Sequence, residues 1–259
     1  GQGFTTKMPK LVGIKLKGRL SGWTASKDII LKVATMLTVK GGTGKIVEYF
    51  GEGARSLSAT GKGTVTNMGA EIGATTSTFG YDEQMDPYLR ATDRSLIADL
   101  CKKYAPHLQS DPEVEADPEK FYDEYHEIDL DQLEPHIVGP HTPDLGRPIS
   151  AMASEVDEKG YPEELSSALI GSCTNSSYED MSRSVSLIRQ AKASGIELKS
   201  NFLVTPGSEQ VYETIKQDGI LSEFEEAGAK VLANACGPCI GQWKREDKKK
   251  GEANSILTS

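Results

Sequence analysis

The 259-residue chain contains little cysteine, histidine or tryptophan, with four, four and two residues of each type. Four cysteines are too few for a disulfide-stapled scaffold, and they indicate a reduced compartment in which thiols serve a cofactor or catalysis. No apolar run approaches the roughly 20 residues of a membrane-spanning helix, so no membrane partner is expected. The net charge is −9 and no large basic surface is implied, which argues against nucleic-acid binding.

The beginning of the chain also lacks a signal peptide and a transit segment rich in Arg and Ser. Gly1 is an unusual first residue, so we interpret the sequence as trimmed. The length suffices for two medium α/β domains, and a hydrophobic content of 37% supports ordinary cores.

Apolar periodicity divides the chain into two patterned regions. In the first region, strands are expected at 9–18 and 45–50, and helices at 26–38, 67–76 and 94–104. Residues 111–134 are strongly acidic and are expected to form surface loops or short helices. Residues 135–144 are rich in turn-forming residues and are predicted to link a domain at 1–134 to a domain at 145–259.

The second region alternates strands with helices. Strands are expected at 165–171, 201–205 and 230–235, and helices at 178–194, 208–217 and 221–227. This alternation predicts an α/β fold with a parallel sheet and helices on its faces.

Three of the four cysteines carry the clearest chemical signal. Cys173 follows one predicted strand, while Cys236 and Cys239 form a C-x-x-C pair directly after another. Open parallel sheets bind ligands beyond the carboxyl ends of their strands, so these thiols are expected at one edge of one sheet. Three thiolates can hold a cubane iron–sulfur cluster and leave its fourth iron open for Lewis-acid chemistry. The fourth cysteine, Cys101, is interpreted as a small core residue of a helix.

Two other interpretations of the cysteines are open at this point. Cys-Gly-Pro-Cys is also the active-site sequence of thioredoxin-like proteins, in which Cys236 and Cys239 would form a redox pair. Against this, Ala235 occupies the position of the thioredoxin Trp, and Thr205-Pro206 precedes the pair instead of following it. A zinc site is the other alternative, although no fourth Cys or His stands at zinc spacing.

Three long motifs resemble the aconitase family, and most closely its mitochondrial type. They are LIGSCTNSSYEDM at 169–181, ANACGPCIGQW at 233–243 and TNMGAEIGATTS at 66–77. The resemblance covers essentially the whole chain and is loosest at 108–125. The stretch 234–243 favours the mitochondrial type, because isopropylmalate isomerases and homoaconitases usually differ around the C-x-x-C pair and cytosolic aconitases resemble this chain less there.

The resemblance implies a hydro-lyase that isomerises citrate to isocitrate through cis-aconitate, in the tricarboxylic acid cycle of the mitochondrial matrix. Cys173, Cys236 and Cys239 would ligate a [4Fe–4S] cluster whose open iron binds water or substrate. Asn67 would hydrogen-bond near the cluster, and Glu71 would hold water bound to substrate or iron. These two residues are four positions apart and would share one face of the predicted helix. Without the resemblance, Asn67 is typical of a helix cap and Glu71 of a solvated acid.

The family's architecture implies three-layer α/β/α domains with mixed or parallel sheets. Residues 1–134 would be the second aconitase domain, and 145–259 most of the third, which binds the cluster. The family's substrate-binding arginines, Asp–His pairs and base serine have no match here. The chain is therefore expected to be the central part of a monomeric aconitase and to be inactive alone. A non-catalytic fragment or binding scaffold is the alternative.

Overall fold

A computed structural model describes residues 3, 5, 7–245, 248–249, 251–252 and 254–259. The interpretation of Gly1 therefore lies outside the described residues. The chain forms two compact units, Gly1–Ser154 and Glu155–Ser259. Within the described residues, no helix is both long and apolar enough to cross a membrane.

The first unit combines strands with mostly short helices. Its strands are β1 (Lys10–Lys17), β2 (Lys45–Phe50), β3 (Thr76–Phe79), β4 (Glu124–Asp129), β5 (His136–Val138) and β6 (Gly146–Pro148). Its helices are α1 (Ser26–Leu37), α2 (Glu52–Arg55), α3 (Ala59–Asn67), α4 (Asp86–Ala91), α5 (Ser95–Lys103) and α6 (Pro112–Ala116). The division between the units falls within α7 (Met152–Lys159).

Strands β1 to β4 form a parallel sheet in the order β3-β2-β1-β4. Val12, Ile14 and Leu16 alternate along β1, are fully buried, and share an apolar cluster with the buried residues of α1. The Tyr122 ring packs so closely at Gly13 that a Cβ there would lie 2.4 Å from Cδ2 of the ring. Residue 13 must therefore lack a side chain for this ring to reach the sheet.

The predicted linker at 135–144 is held to the first unit. It contains β5, which pairs with β6 in an antiparallel hairpin. Asp28, in the first turn of α1, accepts hydrogen bonds from the N–H of Ala25 at 2.7 Å and of His136 at 2.8 Å. Burial raises the pKa of the Asp28 carboxyl, and these two hydrogen bonds oppose the rise. The division at residue 154 thus lies beyond the predicted linker, because this hairpin is anchored to α1.

The segment 67–76 follows a helix instead of forming one. Helix α3 begins after Ser58, whose hydroxyl accepts from the N–H of Gly61 at 3.0 Å, and it ends at Asn67. The N–H of Gly69 then turns back to the carbonyl of Thr66 at 3.0 Å, and Gly73 has a φ of 73°. The predicted helix at 67–76 is wrong, because its glycines form the turns that stop a helix.

The second unit alternates strands and helices as predicted. Its strands are β7 (Ser167–Gly171), β8 (Asn201–Thr205), β9 (Ala229–Val231) and β10 (Ile256–Thr258), and its further helices are α8 (Tyr178–Ala193), α9 (Glu209–Gln217) and α10 (Ile220–Glu226). The strands form a parallel sheet in the order β10-β7-β8-β9. Phe202 and Val204 of β8 share a core with Met181 of α8, Ile215 of α9 and Phe224 of α10. The predicted fold class, α/β with parallel sheets, is confirmed.

A buried ion pair connects α3 with the segment that follows β3. Lys62 of α3 pairs with Asp82, which lies beyond β3, and the two residues are only 3% and 7% exposed. Burial lowers the pKa of the Lys62 ammonium, and the Asp82 carboxylate opposes that fall. Asp82 also accepts from the N–H of Gln84 at 3.0 Å. The pair therefore fixes both ends of the segment that carries Asn67 and Glu71.

Replacing Lys62 by Met is expected to lower the free energy of unfolding by about 3–5 kcal/mol, because the buried Asp82 carboxylate loses its counter-charge. Adding Asp82→Asn should recover most of this loss, since the amide is neutral and its oxygen still accepts from Gln84. Urea unfolding followed by circular dichroism measures both variants. A double variant no more stable than Lys62→Met would contradict this account.

Candidate functional site

The loop after β7 places Cys173 at the carboxyl end of the second sheet. Strand β7 ends at Gly171, whose N–H donates to Oγ of Ser259 at 3.1 Å. The next N–H, of Ser172, donates to the carbonyl of Thr205 at 2.9 Å, where β8 ends. Cys173 follows directly and is exposed. Its predicted place beyond a strand end agrees with the structure.

The backbone around Cys173 adopts conformations that side chains rarely permit. Gly171 has a φ of 111°, and a Cβ there would lie 1.9 Å from the carbonyl oxygen of Thr205. Ser172 and Asn175 have φ values of 78° and 52°, although neither is glycine. Such conformations cost of order 1–3 kcal/mol each, and they cluster at functional sites.

Asp180, in the first turn of α8, holds the far side of this loop. Its carboxylate accepts from the N–H and the hydroxyl of Ser177 at 3.1 and 2.7 Å, and from Nδ2 of Asn175 at 3.3 Å. In return, Oγ of Ser177 accepts from the N–H of Asp180 at 3.2 Å. This reciprocal capping fixes residues 175–177 against the start of the helix.

The C-x-x-C pair lies farther from its strand than predicted. Strand β9 ends at Val231, so the predicted strand at 230–235 is too long, and Cys236 does not follow it directly. The chain leaves the sheet once the N–H of Leu232 has bonded to the carbonyl of Val204 at 2.8 Å. Cys236 is exposed, and Cys239 is half-buried in a single 3₁₀ turn, Pro238–Ile240.

One contact connects the two cysteine segments. Oγ of Ser172 lies 3.3 Å from Sγ of Cys239, so Cys239 meets the residue that precedes Cys173. In the part of the chain that the structure describes, no three His, Cys, Asp or Glu side chains are gathered closely enough to hold a metal ion. The structure therefore brings Cys239 to the loop of Cys173 without assembling a complete ligand set.

The chemistry of the donor set nevertheless fits an iron–sulfur cluster. All four cysteines lie among the described residues, and none is in a disulfide. Three thiols, supplied by two loops of one sheet, match the thiolate ligation of such clusters. Cys101 is separate from this set: it lies on α5 and is only half-buried, so its interpretation as a core residue overstates its burial.

Asn67 and Glu71 lie in the first unit, whereas the three thiols lie in the second. Asn67 is the last residue of α3, and Glu71 lies in the turn that follows; both are exposed. Their predicted position on one face of a helix is wrong, because α3 ends before Glu71.

The contacts of Ser172 and Ser259 could not be predicted from the sequence. Ser172 stands beside Cys173 in the motif, but its contact depends on a residue 67 positions away. Ser259 directly follows β10, which has three residues and is too short for any periodic signal.

Comparison with known proteins gives a consistent result along the whole chain. The model of the aconitase family (aconitate hydratase) matches residues 1–259. Mitochondrial aconitate hydratase of Schizosaccharomyces pombe is 60% identical over 98% of this chain, and that of Gracilaria gracilis is 58% identical over all of it. The mitochondrial aconitate hydratase of Saccharomyces cerevisiae is 56% identical, again over the full chain. The chain spans about a third of the length of these relatives, 31%, 32% and 33% respectively.

Replacing Gly171 by Ala tests whether the strand ends must meet this closely. Gly195 is a matched control, because its φ is 70° and a Cβ there would have no neighbour within 4 Å. Gly195→Ala should cost about 1–2 kcal/mol of unfolding free energy, from its backbone conformation alone. Gly171→Ala should cost about 1–3 kcal/mol more, because its Cβ collides with Thr205.

Urea unfolding of the two variants gives this difference directly. Equal losses in both variants would show that the contact between Gly171 and Thr205 does not constrain the loop.

Proposed function

Since this chain belongs to the aconitase family, we propose that it is the cluster-binding part of an aconitate hydratase that interconverts citrate and isocitrate through cis-aconitate. The observation that carries the proposal is the set of three thiols in two loops of the second sheet, joined by the contact of Ser172 with Cys239. These loops lie inside two of the sequence motifs that carry the family resemblance.

The proposed reaction is balanced without an oxidant or reductant. Citrate loses a proton and a hydroxyl group from adjacent carbons, which together make one water. Water then adds to cis-aconitate with the opposite orientation and gives isocitrate. When bound, a [4Fe–4S] cluster supplies an open iron, which acts as a Lewis acid toward the hydroxyl that leaves.

The residues of this chain hold and orient the reacting groups in the proposal. Cys173, Cys236 and Cys239 would hold the cluster through their sulfur atoms. Asn67 would donate a hydrogen bond near the cluster, and Glu71 would hold the water that is removed and returned. Both side chains are exposed where α3 gives way to a turn, which leaves them accessible for this role.

The wider setting is also part of the proposal. Residues 1–134 would form the second aconitase domain and 145–259 most of the third, in a monomeric protein of the mitochondrial matrix and the tricarboxylic acid cycle. The names of the relatives place those proteins in the mitochondrion. The 259-residue chain alone would not turn over citrate, because the resemblance assigns the base and the substrate-binding arginines to other parts of the protein.

Replacing Cys173, Cys236 or Cys239 by Ser, one at a time in the full-length protein, should remove bound iron. Aconitase activity should then fall by at least about a hundredfold, because the Lewis acid contributes several kcal/mol to the barrier. Colorimetric iron and sulfide analysis and the formation of cis-aconitate measure the two effects.

Cys101→Ser is the matched control, since it also removes one thiol but lies on α5, in the other unit. It should retain both iron and activity. Full activity with normal iron in any of the other three variants would refute the assignment of that cysteine. Insulin reduction that is lost with Cys236→Ser would instead favour a thiol–disulfide oxidoreductase.

A further inference from the structure

Building on the proposed function, we propose that Ser172 is a positioning residue, whose hydroxyl donates a hydrogen bond to Sγ of Cys239 and holds that sulfur at the carboxyl end of β7. The two atoms lie 3.3 Å apart. The hydroxyl is the donor whenever Cys239 serves as a ligand, because a ligating thiolate has no proton to give.

The burial of Ser172 strengthens this hydrogen bond. Ser172 is 8% exposed, whereas Cys239 is only half-buried. A hydrogen bond to a charged sulfur is electrostatically stronger where water is largely excluded. The contact also joins residues far apart in sequence, so it is a product of the tertiary fold and not of the local chain.

The backbone at Ser172 supports a functional reason for its side chain. A φ of 78° is the left-handed conformation that glycine adopts without strain and that other residues adopt at a cost. The conformation is imposed from outside, since the N–H of Ser172 is bonded to the carbonyl of Thr205 at 2.9 Å. Glycine would satisfy that backbone better, so a side chain here requires a compensating role, and the contact with Cys239 supplies one.

A hydroxyl that donates to a ligating sulfur has defined consequences for a cluster. It withdraws charge from the sulfur, which stabilises the reduced state and raises the reduction potential. It also fixes the direction of the sulfur lone pairs, as outer partners of metal ligands generally do. Loss of the hydroxyl should therefore lower the potential and weaken the hold on iron.

The test compares Ser172→Ala with Ser172→Gly in the loaded, full-length protein. Both variants lack the hydroxyl, but Gly also relieves the backbone strain, so it keeps the fold intact. Ser182→Ala is the control, because the Ser182 hydroxyl donates to the carbonyl of Tyr178 within α8 and not to a cysteine sulfur. The readouts are the rate of iron release to a chelator and the midpoint potential of the cluster, measured by voltammetry.

Iron release should accelerate roughly tenfold in both Ser172 variants, the lower end of the usual effect of losing an outer partner of a metal ligand. The midpoint potential should be lower than that of the wild type, and by the same difference in both Ser172 variants. Ser182→Ala should keep the wild-type rate of iron release and the wild-type midpoint potential. Unchanged release and potential in a loaded protein would overturn the role of Ser172 while leaving the proposed function intact. A change in Ser172→Ala alone would also overturn it, since backbone strain would then be the cause. A wild-type protein that takes up no iron and sulfide would overturn both proposals.

Discussion

The close approach of Gly171 to Thr205 is the constraint on which the candidate site depends. These residues end two neighbouring parallel strands, and only hydrogen fits between the α-carbon of one and the carbonyl of the other. The chain must turn sharply there, which gives Ser172 its left-handed conformation and presents Cys173 beyond the sheet. Asp180 then secures the opposite end of the same loop through Ser177 and Asn175. The loop is thus determined by backbone packing at one end and by helix capping at the other.

The sequence predicted the second unit well, because its physical signals are strong and local. Strand β8 carries an unbroken apolar run between polar residues, and α8 begins at a Ser177–Asp180 capping box, so the sequence predicts the bounds of both elements to within one residue. The general position of the thiols followed from one rule about parallel sheets. The predicted strand at 230–235 is too long, because the register of β9 with β8 ends at Val231 and Leu232 adds one further hydrogen bond, to the carbonyl of Val204. Strand β10 has three residues and gains its identity only from pairing with β7.

The first unit is harder to predict, because its structure depends on turns at glycine residues and on contacts made by buried charged side chains. The segment at 67–76 has helical spacing but contains Gly69 and Gly73, and the local hydrogen bonds at these glycines form turns that end the helix at Asn67. The hairpin at 136–148 has the composition of a linker, yet the buried carboxylate of Asp28 ties it to α1. The pairing of Lys62 with Asp82 leaves no trace in periodicity. Buried charges of this kind specify which segments meet, and a one-dimensional pattern does not record them.

The short strand β10 has a consequence for the behaviour of the chain in solution. By pairing with β7, it covers the N–H and carbonyl groups along one side of a strand whose sequence is Ser-Ala-Leu-Ile-Gly. An uncovered strand of this composition is a template for pairing with other molecules. The three residues of β10 therefore prevent β7 from pairing with strands of other molecules. A shortened chain that lacked them would tend to aggregate through β7.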